Sequence, residues 1–213
     1  MFPALYAILD ASGGSGQDGS LGEMLAEAGV GLIQIRDKKA STRELYGASK
    51  KLAESLRSLG VRVIVNDRPD IAAMTGAGGV HVGQEDLPVE AARRICGNQS
   101  WVGVSTHNLE QFREANRTSA DYIAVGPIFS TATKENPDPV VGLELLRTAR
   151  HLTKKPLVAI GGITIESAES VFRAGADSLA VVRDLNAAED PAQRAREYLA
   201  VAKRVISGRA EGA

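Results

Sequence analysis

The amino-acid sequence predicts an α/β protein, a single (β/α)8 TIM barrel over residues 1–213. Three observations carry that expectation. Short β-rich runs alternate with helix-like segments along the whole chain, which calls for a parallel sheet. The runs are eight, and the connections between them are short. A weak internal repeat also places small residues before apolar strands: "AGVGLIQI", "GAGGVHV", "SADYIAV" and "GADSLAV" fall on the second, fourth, sixth and eighth. Evenly spaced barrel units would repeat in this way. An open, doubly wound sheet is the alternative.

Strands are expected at 4–9, 31–36, 61–66, 80–82, 101–105, 122–125, 157–160 and 178–182. After the first comes "DASGGSGQDGS" (10–20), the one stretch rich in glycine and serine. It reads as a mobile first βα loop, because a single strand cannot fold as a domain of its own. Between the second and third strands, "STRELYGASKKLAESLRSLG" sets Leu45, Ala48, Leu52, Leu56 and Leu59 at helical spacing. Ser41 or Thr42 can cap its start and Gly60 can end it. The last helical stretch is 191–206, with Pro191 suited to a first turn. Residues 208–213 are expected to form a disordered tail.

Composition narrows the function classes. Of the 213 residues 44% are hydrophobic, enough for one substantial core. The 25 Lys and Arg against 26 Asp and Glu leave a net charge of -1, which gives no reason to expect nucleic acid or an anionic membrane as partner. Apolar runs such as 157–160 are too short to span a bilayer. The start "MFPALYAILDAS" lacks a basic n-region and cleavage site. Cys96 is the lone cysteine, so no intramolecular disulfide or CxxC site exists. A cytoplasmic protein is expected; the oligomeric state is left open.

In such a barrel, chemistry sits at the C-terminal ends of the strands. The second strand ends "QIRDK", where Gln34, Arg36 and Lys38 alternate and share one face in extended geometry. Gln34 lies deep in an apolar run, and an inward amide needs partners. "VIVNDRPD" ends the third strand with Asn66 and Asp67, and "VHVGQEDLP" ends the fourth with Asp86. Taken singly, Asp67 suits an Asx turn and Asp86 a helix cap. As a pair at neighbouring strand mouths they suggest Mg2+, which takes one or two protein carboxylates and completes its shell with water and phosphate oxygens. His81, His107 and His151 have no zinc-ligand spacing; His81 in "GVHVG" reads as a hydrogen-bonded barrel histidine. Ser105 and Thr106 end the fifth strand and suit either a ligand or a helix cap.

The sixth strand runs into "AVGPIFSTATKENPDPVVG", with Ser130, Thr131, Thr133 and Lys134 where a plain turn would need none of them. Gly161 and Gly162 end the seventh strand, and Val182 and Arg183 the eighth. Loops after these two strands are the usual phosphate site of the fold. No Ser-His-Asp or Cys-His arrangement is present. The inventory suits two phosphorylated ligands, one a pyrophosphate, and chemistry that stabilises a departing anion.

The segments "QIRDK", "VNDRPDIAAMTGAGGVHVGQEDLP", "GVSTHN", "ADYIAVGPIFSTATK", "VAIGGI" and "AVVRDL", in this order, resemble the thiamine-phosphate synthase family. That family joins 4-amino-2-methyl-5-(diphosphooxymethyl)pyrimidine to 4-methyl-5-(2-phosphooxyethyl)thiazole, giving thiamine monophosphate and pyrophosphate by a dissociative route. The resemblance implies that Gln34, Arg36, Lys38, Asn66 and Lys134 bind the pyrimidine diphosphate, with Ser105 near the pyrimidine. It implies Mg2+ on Asp67 and Asp86, and Thr131, Thr133, Gly162, Val182 and Arg183 at the thiazole phosphate. Arg36, Lys38, Lys134 and Ser105 would carry the catalysis. Two positions depart from the family pattern: Arg183 stands for the usual Ser, and Gly78 for a frequent Asp. A thiazole tautomerase on the same barrel, or a noncatalytic thiazole-phosphate-binding protein, is the alternative.

Overall fold

The structure, a computed structural model, describes residues 2–10, 20–131 and 138–210. Eight parallel strands form the barrel: β1 (Leu5–Asp10), β2 (Leu32–Arg36), β3 (Arg62–Asn66), β4 (Gly79–Val82), β5 (Trp101–Thr106), β6 (Tyr122–Val125), β7 (Leu157–Ile160) and β8 (Ser178–Val181). Each pairs with the next, and β8 returns to β1 through Leu179 beside Leu5 and Ala180 beside Tyr6. That last ladder excludes the open sheet.

Around the barrel lie α1 (Ser20–Glu27), α2 (Thr42–Arg57), α3 (Pro69–Thr75), α4 (Val89–Cys96), α5 (Leu109–Arg117), α6 (Gly142–Leu152), α7 (Ile165–Arg173), α8 (Arg183–Asn186) and α9 (Pro191–Ala210). The one-turn α8 has no apolar period to betray it, which is why eight helices were expected and nine are found among the described residues. α2 begins as foreseen, in a capping box: the Ser41 hydroxyl accepts from Glu44 N–H at 3.3 Å, and the Glu44 carboxylate accepts from Ser41 N–H at 2.8 Å. Of the segment 10–20, Asp10 ends β1 and Ser20 opens α1; 11–19 lie outside the described residues. α9 runs through Ala210, into the stretch read as a tail.

Two apolar layers follow from strand alternation. Residues facing outward, such as Leu5, Ile33, Val63 and Leu179, pack under the helices with Leu25, Leu56, Phe112, Leu146 and Phe172. Tyr6, Ile8, Leu32, Ile64, Tyr122, Ala124, Val158 and Ala180 face inward and fill the barrel. Phe2 and Trp101 stack 5.1 Å apart at 15°, and the Arg62 guanidinium lies 4.1 Å over the Trp101 ring. Arg62 and Trp101 are first residues of their strands, so this aromatic and cation–π plug closes the N-terminal end. The opposite end is left for ligands. No helix among the described residues is long and apolar enough to cross a membrane.

Phe172 is fully buried on α7. Phe172→Ala should lower the unfolding free energy by about 3–5 kcal/mol, measured by urea denaturation, with the far-UV circular dichroism of the folded state unchanged.

Candidate active site

A cavity of about 550 Å3 opens at the C-terminal ends of the strands. Gln34, Arg36, Asn66, Ser105, Thr131, Gly162, Val182 and Arg183, all singled out from the sequence, line it. Lys38, Asp67 and Asp86, which follow β2, β3 and β4, cluster together at the same end of the barrel without lining the cavity itself. Thr133 and Lys134 lie outside the described residues.

The alternation of β2 does what its spacing implies. Gln34 is 3% exposed, and its Nε2 donates to the Tyr6 hydroxyl at 2.7 Å. Arg36 reaches Asp10 across the β1–β2 ladder, where the two are register partners. Lys38 Nζ lies 2.9 Å from Asp67 Oδ2. Asp67 holds a left-handed backbone, φ 62, and its N–H donates to the His81 carbonyl at 2.8 Å. Aspartate tolerates this region better than most residues, at a cost of about 1–3 kcal/mol. Asp86 Oδ2 accepts from Gly83 N–H at 2.7 Å.

Neither carboxylate caps a helix, since the N-cap residues of α3 and α4 are Arg68 and Pro88, with no side-chain cap. Burial raises the Asp86 pKa and the neighbouring Asp67 carboxylate raises it further, against the pull of the Gly83 N–H and of Lys38. Two hard oxygen donors pressed together in this way call for a cation beyond Lys38. Among the described residues no group of three or more His, Cys, Asp or Glu is gathered for a metal. The donor set therefore fits an ion content with two carboxylates and other oxygen ligands, as Mg2+ is.

On the far side of the barrel, Gly161 and Gly162 hold φ of 101 and 62. Ile128 N–H donates to the Ile160 carbonyl at 2.9 Å and Phe129 N–H to the Gly161 carbonyl at 3.0 Å. A Cβ at Gly162 would collide with the Ser130 carbonyl. The glycines are thus needed first to let the loop after β6 pass closely, and the ligand surface they offer is shared with that loop. Arg183 opens α8.

Two cavity features, and the partner of a cavity arginine, escaped the sequence. Arg194 of α9 lies 3.0 Å from Asp184, which the Tyr198 hydroxyl also holds at 2.8 Å. His107 donates from Nδ1 to the Gly126 carbonyl at 2.6 Å and points Nε2 toward Asp138 at 3.5 Å. Asp10, read as a loop start, is the partner of Arg36; its parity with Tyr6 and Ile8 was the available signal. Ser105 and Thr106 leave the capping of α5 to Asn108, whose Oδ1 accepts from Gln111 N–H at 2.9 Å. His81 is a hydrogen-bonded barrel histidine, with ring nitrogens 3.1 Å from the Tyr122 hydroxyl and 2.8 Å from Ser105 Oγ.

An acid whose folded pKa exceeds its unfolded value penalises the fold once the unfolded chain ionises, and the penalty grows until the folded group ionises too. Asp86→Asn should therefore raise the melting temperature of the metal-free protein at pH 7. The gain should vanish below about pH 4, where the unfolded carboxylate is itself protonated. Thermal melts in EDTA at both pH values measure this; equal melting at pH 7 would refute the carboxylate clash.

The family model for thiamine monophosphate synthase matches residues 5–185. A thiamine-phosphate synthase of Koribacter versatilis is 49% identical over 205 residues, covering 93% of this chain and 95% of its own. One from Chloroflexus aurantiacus is 44% identical over 198 residues, covering 92% and 91%. Among solved structures, thiamine phosphate pyrophosphorylase from Pyrococcus furiosus superposes with a TM-score of 0.85 at 35% identity, covering 95% of this chain and 96% of that one. With the family model matched from the first strand to the eighth and relatives this similar along nearly their whole length, the chain belongs to the thiamine monophosphate synthase family.

Proposed function

We propose that the protein is a thiamine-phosphate synthase, an alkyl transferase joining 4-amino-2-methyl-5-(diphosphooxymethyl)pyrimidine to 4-methyl-5-(2-phosphooxyethyl)thiazole with release of pyrophosphate. The observation that carries the reading is the division of the barrel's open end into two sides. Arg36 and the Lys38–Asp67–Asp86 cluster belong to β2, β3 and β4. Thr131, Gly162 and Arg183 belong to the loops after β6, β7 and β8. One side suits a diphosphate with a divalent cation, the other a monophosphate. The relatives' names support this reading over an isomerase or a sensor.

On this reading Gln34, Asn66 and Ser105 orient the pyrimidine. Asp67 and Asp86 hold Mg2+, which when bound supplies positive charge to the diphosphate oxygens. Arg36, Lys38 and Lys134 neutralise the departing diphosphate as its bond to the pyrimidine methylene breaks. Contacts that strengthen as charge develops act on the barrier directly. The carbocation left behind is captured by the thiazole nitrogen, while Thr131, Thr133, Gly162, Val182 and Arg183 hold the thiazole's phosphate. Asp10 keeps Arg36 in place between turnovers. Balanced charge and one half-buried cysteine support a cytoplasmic setting.

Purified protein with both substrates and Mg2+ should yield thiamine monophosphate and pyrophosphate in equal amounts, and EDTA should stop the reaction. Binding of either substrate without product would refute the proposal. Arg36→Ala should lower kcat by about 100- to 1,000-fold. Lys134→Ala should slow pyrophosphate departure and leave thiazole-phosphate affinity nearly unchanged; single-turnover kinetics and a binding titration separate the two.

A further inference from the structure

Between Gln34 and Ser105 runs a chain of polar side chains whose three inner members, Tyr6, Tyr122 and His81, the proposed chemistry does not use. Gln34 Nε2 donates to the Tyr6 hydroxyl at 2.7 Å, and the Tyr6 and Tyr122 hydroxyls lie 3.0 Å apart. The Tyr122 hydroxyl lies 3.1 Å from His81 Nδ1, and His81 Nε2 lies 2.8 Å from Ser105 Oγ. Tyr6 and Tyr122 are 1% and 0% exposed. Tyr6, Gln34, His81 and Ser105 line the cavity, so both ends of the chain open on it. Its centre is bought with a missing side chain: a Cβ at Gly103 would collide with the Tyr122 ring and hydroxyl.

Donor arithmetic gives the chain a direction. The Gln34 amide nitrogen can only donate, so the Tyr6 oxygen accepts. A phenol has one proton, and a buried hydroxyl proton without an acceptor is costly. Burial keeps both phenols protonated, well above their ordinary range. Tyr6 therefore donates to Tyr122, and Tyr122 to His81 Nδ1. An accepting Nδ1 leaves the ring proton on Nε2, which donates to Ser105 Oγ. Ser105 is left with its own O–H to offer the cavity, and Gln34 with its carbonyl Oε1.

We infer that Tyr6, Tyr122 and His81 are positioning residues that fix Ser105 as a donor and Gln34 Oε1 as an acceptor, selecting a heteroaromatic ring that carries both an amino donor and a lone-pair nitrogen. Resting on the synthase reading, this ring is the aminopyrimidine of the diphosphate substrate. The 4-oxo analogue presents an acceptor in place of the amino group and an N–H in place of the lone pair, so it meets both ends with the wrong polarity. Reversing every bond would favour that analogue instead.

Two measurements test this without turnover. In ligand-free full-length protein labelled with 15N-histidine, long-range 1H–15N spectra should show His81 as the neutral Nε2–H tautomer, its signals assigned by their loss in His81→Asn. An Nδ1–H tautomer would overturn the inference. By calorimetry the wild type should prefer the 4-amino over the 4-oxo pyrimidine diphosphate. Tyr122→Phe, which keeps the ring beside Gly103, should cut that preference by about tenfold or more, with an unchanged far-UV circular dichroism showing that the barrel is still folded. An undiminished preference would show that the chain is structural only and overturn the inference. Tyr6→Phe breaks the same chain at its other half and should give the same loss, so the test stands if one variant fails to fold. Absence of product formation in the wild type would instead strike at the synthase reading and leave the tautomer result standing.

Discussion

Closure of β8 onto β1 is the constraint from which the rest follows. An open sheet with the same eight strands would send alternate side chains to one face, where they could spread under helices or into water. Closing it turns every inward position toward a common axis, where eight strands leave room only for side chains. Tyr6 and Tyr122, on strands that never pair with each other, meet edge to face with centroids 5.9 Å apart. Polar groups that point inward must find partners across that axis or remain unpaired. Closure is therefore what brings β1, β2, β4, β5 and β6 into one hydrogen-bonded chain, and what makes the plug at Phe2, Trp101 and Arg62 worth having at the end away from the cavity.

The same closure concentrates charge at the open end. Asp10, Asp67 and Asp86 stand at or just past the ends of β1, β3 and β4, with Arg36 and Lys38 following β2. Each cation already has a carboxylate, so the rim is not a bare basic patch awaiting an anion. It is an alternating set, and that distinguishes it from a simple phosphate cradle. A diphosphate bound with a divalent ion brings charge of both signs and can join such a set, with the ion taking the carboxylates and the phosphate oxygens the cations. A lone phosphate would have to displace Asp10 or Asp67 from its partner first.

Much of this was legible because two periods carry it. Apolar runs separated by amphipathic stretches placed all eight strands to within a residue or two, and polar residues at their C-terminal ends marked the rim. What stayed hidden depends on contacts between strands distant in sequence. Tyr6 and Tyr122 read as ordinary strand aromatics, since only register brings their hydroxyls together. Gly103 sits between valines and has an unremarkable backbone; its need appears only when the Tyr122 ring is beside it. Asp10 was assigned to the loop because glycines and serines follow it. Arg194 lies in a helix with several arginines, and nothing in a helical period says which of them turns toward the cavity. Gly162 was singled out correctly as a cavity residue, but its positive φ serves the neighbouring loop as well as a ligand.

A barrel interior lined wholly by apolar groups would be simpler to fold, since every polar atom placed there must be satisfied or it weakens the fold. The five-residue chain is tolerable because each inner member both gives and receives and the two ends keep their spare groups on the cavity, and a chain of that kind has only two consistent proton orders. That property has a use. An isolated Ser105 hydroxyl would rotate to suit whichever ring approached and an isolated Gln34 could turn its amide, so neither would discriminate. Tied through Tyr6, Tyr122 and His81, the two ends cannot reorient separately: turning one requires every proton between them to move. Selectivity at the cavity floor then resides in the whole chain rather than in the residue that touches the ligand, which is why a glycine on β5 belongs to the account of how a ring above it is recognised.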